Sequence, residues 1–268
     1  MKIIMKNRKM IVFIILFTLA LWAFLIEPNL LVVKHYKLKD DELKGLKIVF
    51  VSDFHIKKWQ MGRLKRSVKL INKQNSDMVL SVGDFINGHR LRNTMPAKDI
   101  INELKNIKAK YGFFTVLGNH DVWVDKKGVE DALEKNGIKL LENSNAKVKI
   151  NGKEIYIAGV EDKQTQKPDV YKALDGTKNP VILLTHSPDV FVSVPKSVNL
   201  TLAGHVHGGQ VRIPFLGATI IPSDYGNRYS QGLIKENGKT MIVTKGIGNS
   251  ILNVRFLCVP EIVVIEFE

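Results

Sequence analysis

The sequence predicts an α/β domain whose sheet is parallel in its first half and mixed later. Two observations carry this. From Lys34 onward short apolar runs alternate with amphipathic stretches of helical period, and after about residue 137 the apolar runs follow one another without helices between them. The chain has 268 residues, 45% apolar and 25% charged, long enough to bury a sizeable core without staples. Its one cysteine, Cys258, excludes an internal disulfide. The net charge of +14 favours anionic partners such as lipid headgroups, nucleic acid or phosphorylated metabolites, but it is spread along the chain rather than gathered in one block.

The first element differs in kind. Lys2, Lys6, Arg8 and Lys9 precede an uncharged run, Met10 to Ile26, which Glu27 and Pro28 end. As a helix that run spans about 25 Å, just short of a hydrocarbon core of ~30 Å. No small-x-small cleavage site follows it, so an uncleaved signal anchor is expected rather than a removed signal peptide. Trp22 suits an interface. Residues 1–33 are expected to be this membrane anchor with its linker, Pro28 and the basic stretch after it. Residues 34–268 are expected to be the folded domain.

Within that domain LKIVFVSDFH reads as a strand, and GRLKRSVKLINKQ as a helix with Leu64, Val68 and Ile71 on one face. DMVLSVGDF is a strand, AKDIINELKNIKAK a helix, GFFTVLGNHD a strand, and KKGVEDALEKNG a helix stopped by Gly137. KEIYIAGVED, NPVILLTHSPD, VNLTLAGHVHGG, TMIVTKGIG and EIVVIEFE complete the strands.

The polar residues fall where strands end: Asp53 and His55, then Asp84, then Asn119, His120 and Asp121, then His186, then His205 and His207. Ligands in open α/β sheets bind beyond the carboxyl ends of strands, so these groups are placed to converge. Residues i and i+2 on a strand point the same way, which would make His205 and His207 a pincer for one cation. Each motif alone has an ordinary reading as a cap, a turn or a satisfied structural histidine. Together, in the order DxH, GD, GNHD, H, GHxH, they take five of the seven histidines. Imidazole and carboxylate donors suit Mn, Fe or Zn. Arg212 could meet a phosphate, His89 reads as an exposed loop residue, and Trp59 as a packing residue.

With all these motifs present, the sequence resembles the calcineurin-like metallophosphoesterases from Asp53 through His207. The resemblance implies a four-layer α/β/β/α sandwich with mixed sheets around two divalent metal ions at strand C-terminal ends. It implies Asp53, His55, Asp84 and His207 on the first metal, and Asp84, Asn119, His186 and His205 on the second. His120 would donate to the phosphate or leaving oxygen, and Asp121 would orient His120. The implied activity is hydrolysis of phosphate monoesters or phosphodiesters by a metal-activated hydroxide. GHVHGGQVRIP and the late VTKGIGNS segment resemble the subgroup with an N-terminal membrane segment, except that Leu252 and Asn253 stand where a glycine- or proline-bearing turn is expected.

The expected substrate is therefore a phosphorylated small molecule or a lipid-linked phosphate, met at a membrane whose lipids are partners. The alternative is a pyrophosphatase acting on UDP-2,3-diacylglucosamine in lipid biosynthesis, which would need the cytoplasmic face. A non-catalytic scaffold would have shed ligands, and this chain has shed none. A DNA nuclease of this kind adds a capping domain, for which no residues remain. The basic lead-in places the domain on the outer face.

Overall fold

The computed structural model describes residues 2–268 except Leu91, Asn93 and Asn151; for residues 2–7 it describes the backbone only, so the charged ends of Lys2 and Lys6 lie outside the described residues. Helix α1 (Lys2–Leu21) continues through a wider turn, Trp22–Ile26, and a tighter one, Glu27–Asn29. The strands that follow are β1 (Val32–Leu38), β2 (Lys47–Val51), β3 (Met78–Ser81), β4 (Phe113–Thr115) and β5 (Lys139–Leu140). Helices α2 (Met61–Asn72), α3 (Ala97–Leu104) and α4 (Asn119–Lys135) connect them. The second half holds β6 (Ser144–Ile150), β7 (Lys153–Gly159), the one-turn α5 (Val170–Ala173), β8 (Val181–Thr185) and β9 (Leu200–Ala203). After the short pair β10 (Arg212–Ile213) and β11 (Gly217–Ala218) come β12 (Gly232–Glu236), β13 (Lys239–Val243) and β14 (Glu261–Phe267).

Two six-stranded sheets form, in the orders β1-β14-β2-β3-β4-β5 and β12-β13-β9-β8-β7-β6. Each has a parallel centre. The first is β2, β3, β4 and β5, with β14 antiparallel to β2; the second is β13, β9, β8 and β7, with β12 and β6 antiparallel at its edges. The period of two in the strands decides the layers. Ile48, Phe50, Leu80 and Val263 point toward the second sheet, where they meet Ile157, Ile182, Leu184 and Leu202. Val49, Val51, Val79 and Val264 point the other way, onto Leu64, Val68, Ile71, Ile100, Ile101 and Leu104 of the helices. The far face of the second sheet is covered by α5 and by the turn Pro188–Ser193 through Val170, Ala173, Val190 and Phe191. The result is a four-layer sandwich with a thin fourth layer. Each Leu, Ile or Phe removed from water contributes about 1.5–3 kcal/mol.

Two sequence expectations change. The sheet that the strand pattern alone read as one is two, as the family resemblance implied, because β7, β8 and β9 pair in parallel with each other rather than with the earlier strands. The stretch expected as a linker is packed: Glu27 and Pro28 are buried, and Val32 and Val33 begin β1, which pairs along β14. Strands β6 and β12 escaped sequence reading because both are half-exposed edges carrying lysine. Among the described residues one helix, Arg8–Asn29, is long and apolar enough to cross a membrane by length and composition, and its side chains from Met10 to Trp22 are exposed.

Candidate metal centre

Strand β2 ends at Val51, β3 at Ser81 and β9 at Ala203, so the polar groups expected at strand ends sit in the turns just beyond them. Asp53, His55, Asp84, His205 and His207 all adopt positive φ, between 43° and 69°. The strand parity that would have aimed His205 and His207 at one cation therefore does not apply. The two histidines separate: His207 Nε2 lies 2.9 Å from His55 Nε2 and 3.4 Å from Asp53 Oδ1, whereas His205 Nδ1 lies 3.2 Å from His186 Nε2. Asn119 Oδ1 stands 3.0 Å from that same His186 nitrogen. Between the two groups is Asp84, whose Oδ2 is 3.4 Å from His55 Nε2 and 3.3 Å from His186 Nε2. All seven side chains are buried.

Glycine makes this packing possible at two points. A Cβ on Gly118 would lie 2.1 Å from Asp84 Oδ1, and one on Gly204 would lie 2.5 Å from Asp53 Oδ2. Backbone and side chain here approach as closely as only glycine permits.

The donor set fits metal ions. His55 Nδ1 and His186 Nδ1 each donate to a backbone carbonyl, of Ile86 (3.2 Å) and Val82 (2.6 Å), which leaves both Nε2 lone pairs aimed inward. Asp53 Oδ1 is buried with no hydrogen-bond partner. The His55–His207 and His186–His205 nitrogen pairs, 2.9 and 3.2 Å apart, are close enough for each pair to hold one ion. The carboxylates and imidazoles act strongly on one another. Burial opposes charge on Asp53, yet the His207 and His55 imidazoles hold its carboxyl well below the usual carboxylate range. Burial also opposes charge on His186, but the Asp84 carboxylate overrides it and lifts His186 to about 10. For His205, burial and then the His186 charge push the value down to about 4.

His120 and Asp121 open helix α4, one turn after β4. His120 Nδ1–H donates to Gly88 O at 2.6 Å, and its backbone N–H donates to Asp84 Oδ1 at 2.9 Å. Asp121 makes no hydrogen bond to the His120 ring. Its carboxylate instead accepts the backbone N–H groups of Asp84 (2.7 Å), Phe85 (2.9 Å), Ile86 (3.1 Å) and Gly118 (3.1 Å), which fixes the turn that presents Asp84. Burial and the adjacent Asp84 charge push Asp121 up to about 7.

The groups face a cleft of about 490 Å³ whose wall includes His89, Trp123, Gln164, Ile220, Ile251 and Leu252. His89 is exposed, as expected, but its ring stands 5.1 Å from that of His120. Trp59, expected to pack, is 75% exposed. Arg212 is tied to Gly208 O and Ser230 and lines a neighbouring groove instead. Sequence reading missed Gln164, whose amide reaches His205 Nε2 at 3.0 Å. It also missed Arg255, a fully buried guanidinium that donates to the carbonyls of His207, Cys258, Lys245 and Gly248 and lies 3.3 Å from His207 Nδ1. A single arginine among apolar neighbours carries no signal of such a role.

Two stacked mixed sheets with a buried Asp/His/Asn cluster beyond their strand ends define a class, the metal-dependent phosphohydrolases. The particular family follows from comparison: the pattern of the calcineurin-like phosphoesterases matches residues 46–209, and the chain belongs to that family, whose members use a dinuclear metal site. It is 30% identical over 253 residues to the uncharacterized metallophosphoesterase YkuE of Bacillus subtilis, covering 91% of this chain and 87% of that one. It is 27% identical to the phosphodiesterase YaeI of Escherichia coli, covering 84% and 83%. A transmembrane protein with metallophosphoesterase domain from Danio rerio is 32% identical over 78% of this chain but only 50% of its own length. Among solved structures, TT1561 of Thermus thermophilus superposes with a TM-score of 0.50 at 14% identity, covering 76% of this chain and 91% of that one, a likeness of fold.

Proposed function

We propose that this enzyme hydrolyses phosphodiesters at a membrane surface, with two divalent ions, Mn, Fe or Zn, as cofactors. Asp53, His55, Asp84 and His207 would hold one ion, and Asp84, Asn119, His186 and His205 the other. The observation that carries this is the position of Asp84, whose single Oδ2 stands between His55 Nε2 and His186 Nε2 with a separate nitrogen or oxygen donor beyond each. When bound, such a pair neutralises phosphoryl charge and lowers the pKa of water. The chain's own residues do the rest. Asp121 holds the Asp84 turn rigid through its four backbone contacts. His120 is fixed by Gly88 O and lines the cleft. A bound phosphate anion favours the protonated imidazole, and His120 is then placed to give its proton to the departing oxygen. The balance is one P–O bond broken and one water consumed, its oxygen kept on phosphorus.

The diester preference is supported by the name of the Escherichia coli relative and by the wide, partly apolar cleft. The exposed apolar helix supports a single-pass anchor within residues 1–33, and the basic lead-in supports residues 34–268 as the catalytic domain on the outer face. The full chain in detergent should release p-nitrophenol from bis-(p-nitrophenyl) phosphate when Mn or Zn is supplied, and chelation should abolish this. No hydrolysis of the bis-ester or of p-nitrophenyl phosphate with Mn, Zn or Ni present would refute the reading.

A further inference from the structure

We propose that the mouth of the metal cleft is a rim that inserts into the bilayer, and that the phosphoester it takes carries a hydrocarbon chain which stays in the lipid. This rests on the phosphoesterase reading above for its second half only.

The rim is apolar where an aqueous mouth would be polar. Residues 213–222 and 247–254 carry no charge, in a chain of which 25% is charged. Ile220, Ile251 and Leu252 line the cleft and are 80%, 82% and 60% exposed. Phe215, Leu216 and Leu257 line the adjoining groove and are also exposed. Scattered surface hydrophobes are ordinary, but a contiguous set around a cleft marks an interaction surface. Phe215, Ile251 and Leu257 also hold positive φ, at 68°, 56° and 53°. For bulky or β-branched residues that backbone is strained, and strain kept at a site points to function. Leu252 stands where a glycine or proline turn would have left the rim bare.

What covers this rim is decided by its neighbour. The segment carrying Ile251 and Leu252 is bonded to the last turns of the apolar helix: Arg255 N–H donates to Ala23 O, Asn253 Nδ2 to Phe24 O, and Leu257 N–H to the Glu27 carboxylate. Arg212 N–H donates in turn to Phe256 O, which joins the Phe215 hairpin to the same segment. Helix end and rim therefore move as one piece. The apolar run, about 25 Å as a helix, is short for a ~30 Å core, so immersing it fully draws Phe24, Leu25 and the loops beside them into the same lipid boundary. A protein partner would need no such alignment with the helix.

The test uses the full chain in vesicles of phosphatidylcholine and phosphatidylglycerol carrying doxyl-labelled acyl chains. An environment-sensitive fluorophore is placed on Leu252→Cys, Phe215→Cys or, as a control, the exposed Tyr171→Cys on α5; Cys258 is buried and stays unlabelled. Doxyl quenching severalfold stronger at 252 and 215 than at 171 is expected. Equal access of all three labels to aqueous iodide would overturn the insertion. In the same vesicles p-nitrophenol release is compared for p-nitrophenyl hexadecyl phosphate and bis-(p-nitrophenyl) phosphate. Phe215→Asp combined with Leu252→Asp should lower the amphiphile-to-soluble ratio about tenfold; an equal effect on both substrates would overturn the hydrocarbon-chain assignment. If the unmodified chain hydrolyses neither, the phosphoesterase reading fails, while the quenching result stands by itself.

Discussion

Asp84 and His120 sit side by side yet do different work, and their substitutions should separate binding from chemistry. Asp84 Oδ2 touches both halves of the cluster, whereas His120 contributes through a ring fixed by Gly88 O. Asp84→Ala should therefore lower metal content, and His120→Ala should leave it intact while reducing kcat by ~10²–10⁴. Elemental analysis of the two purified variants, beside their turnover of the bis-ester, decides the matter. Equal metal loss in both would make His120 a ligand, as its closeness to His55 and Asp84 also allows. Each αL residue of the cluster costs of order 1–3 kcal/mol of backbone strain, least for Asp and His, whose short polar side chains tolerate that region best. The residue types are thus suited twice, as ligands and as turn formers.

At the scale of elements, the junction between helix and body governs the loop beneath His207. Glu27 is buried, accepts Trp22 Nε1–H at 2.6 Å, and takes the backbone N–H groups of Leu257 and Cys258. Cys258 and Arg255 both donate to His207 O. Removing residues 1–21 should leave this junction whole and yield a protein with near-normal bis-ester hydrolysis. Removing residues 1–29 takes Glu27 and the Pro28 carbonyl that accepts from Arg63, so the body should melt lower, by about 2–4 °C for each kcal/mol lost, with weaker metal retention. Calorimetry of the two truncations would contradict this if their transitions coincide.

For the whole molecule, one N-terminal apolar helix is long enough to serve as a membrane anchor, and on the proposed reading the basic lead-in predicts the sandwich on the outer face. Added basic surface contributes roughly 1 kcal/mol per Lys or Arg held close to anionic lipid. Protease applied to intact cells with the outer barrier opened should digest the domain and spare the helix. Protection until lysis would put the domain inside, and the lipid-precursor pyrophosphatase reading would then lead. Lys34, Lys37 and Lys39 beyond the helix are the charges that work against the outer placement.

The amino-acid sequence by itself determined the apolar helix, the alternation of strand and helix through α4, the core face of α2, and the identity of the clustered polar residues. These are local properties: periodicity, charge and residue type at fixed spacing. The strand pattern alone did not divide the sheet in two, which only the family resemblance implied; the tertiary structure shows how, because β14 returns to lie between β1 and β2 while β7, β8 and β9 pair among themselves. It showed why His205 and His207 part company, as the family resemblance implied and strand parity did not, since left-handed turns aim them. It alone assigned Asp121 to the backbone of Asp84, brought Gln164 and Arg255 to the histidines, and tied the supposed linker into the body. Each of these is a contact between residues far apart in the chain, set by close packing, and no local pattern encodes which distant atom will fill a given space.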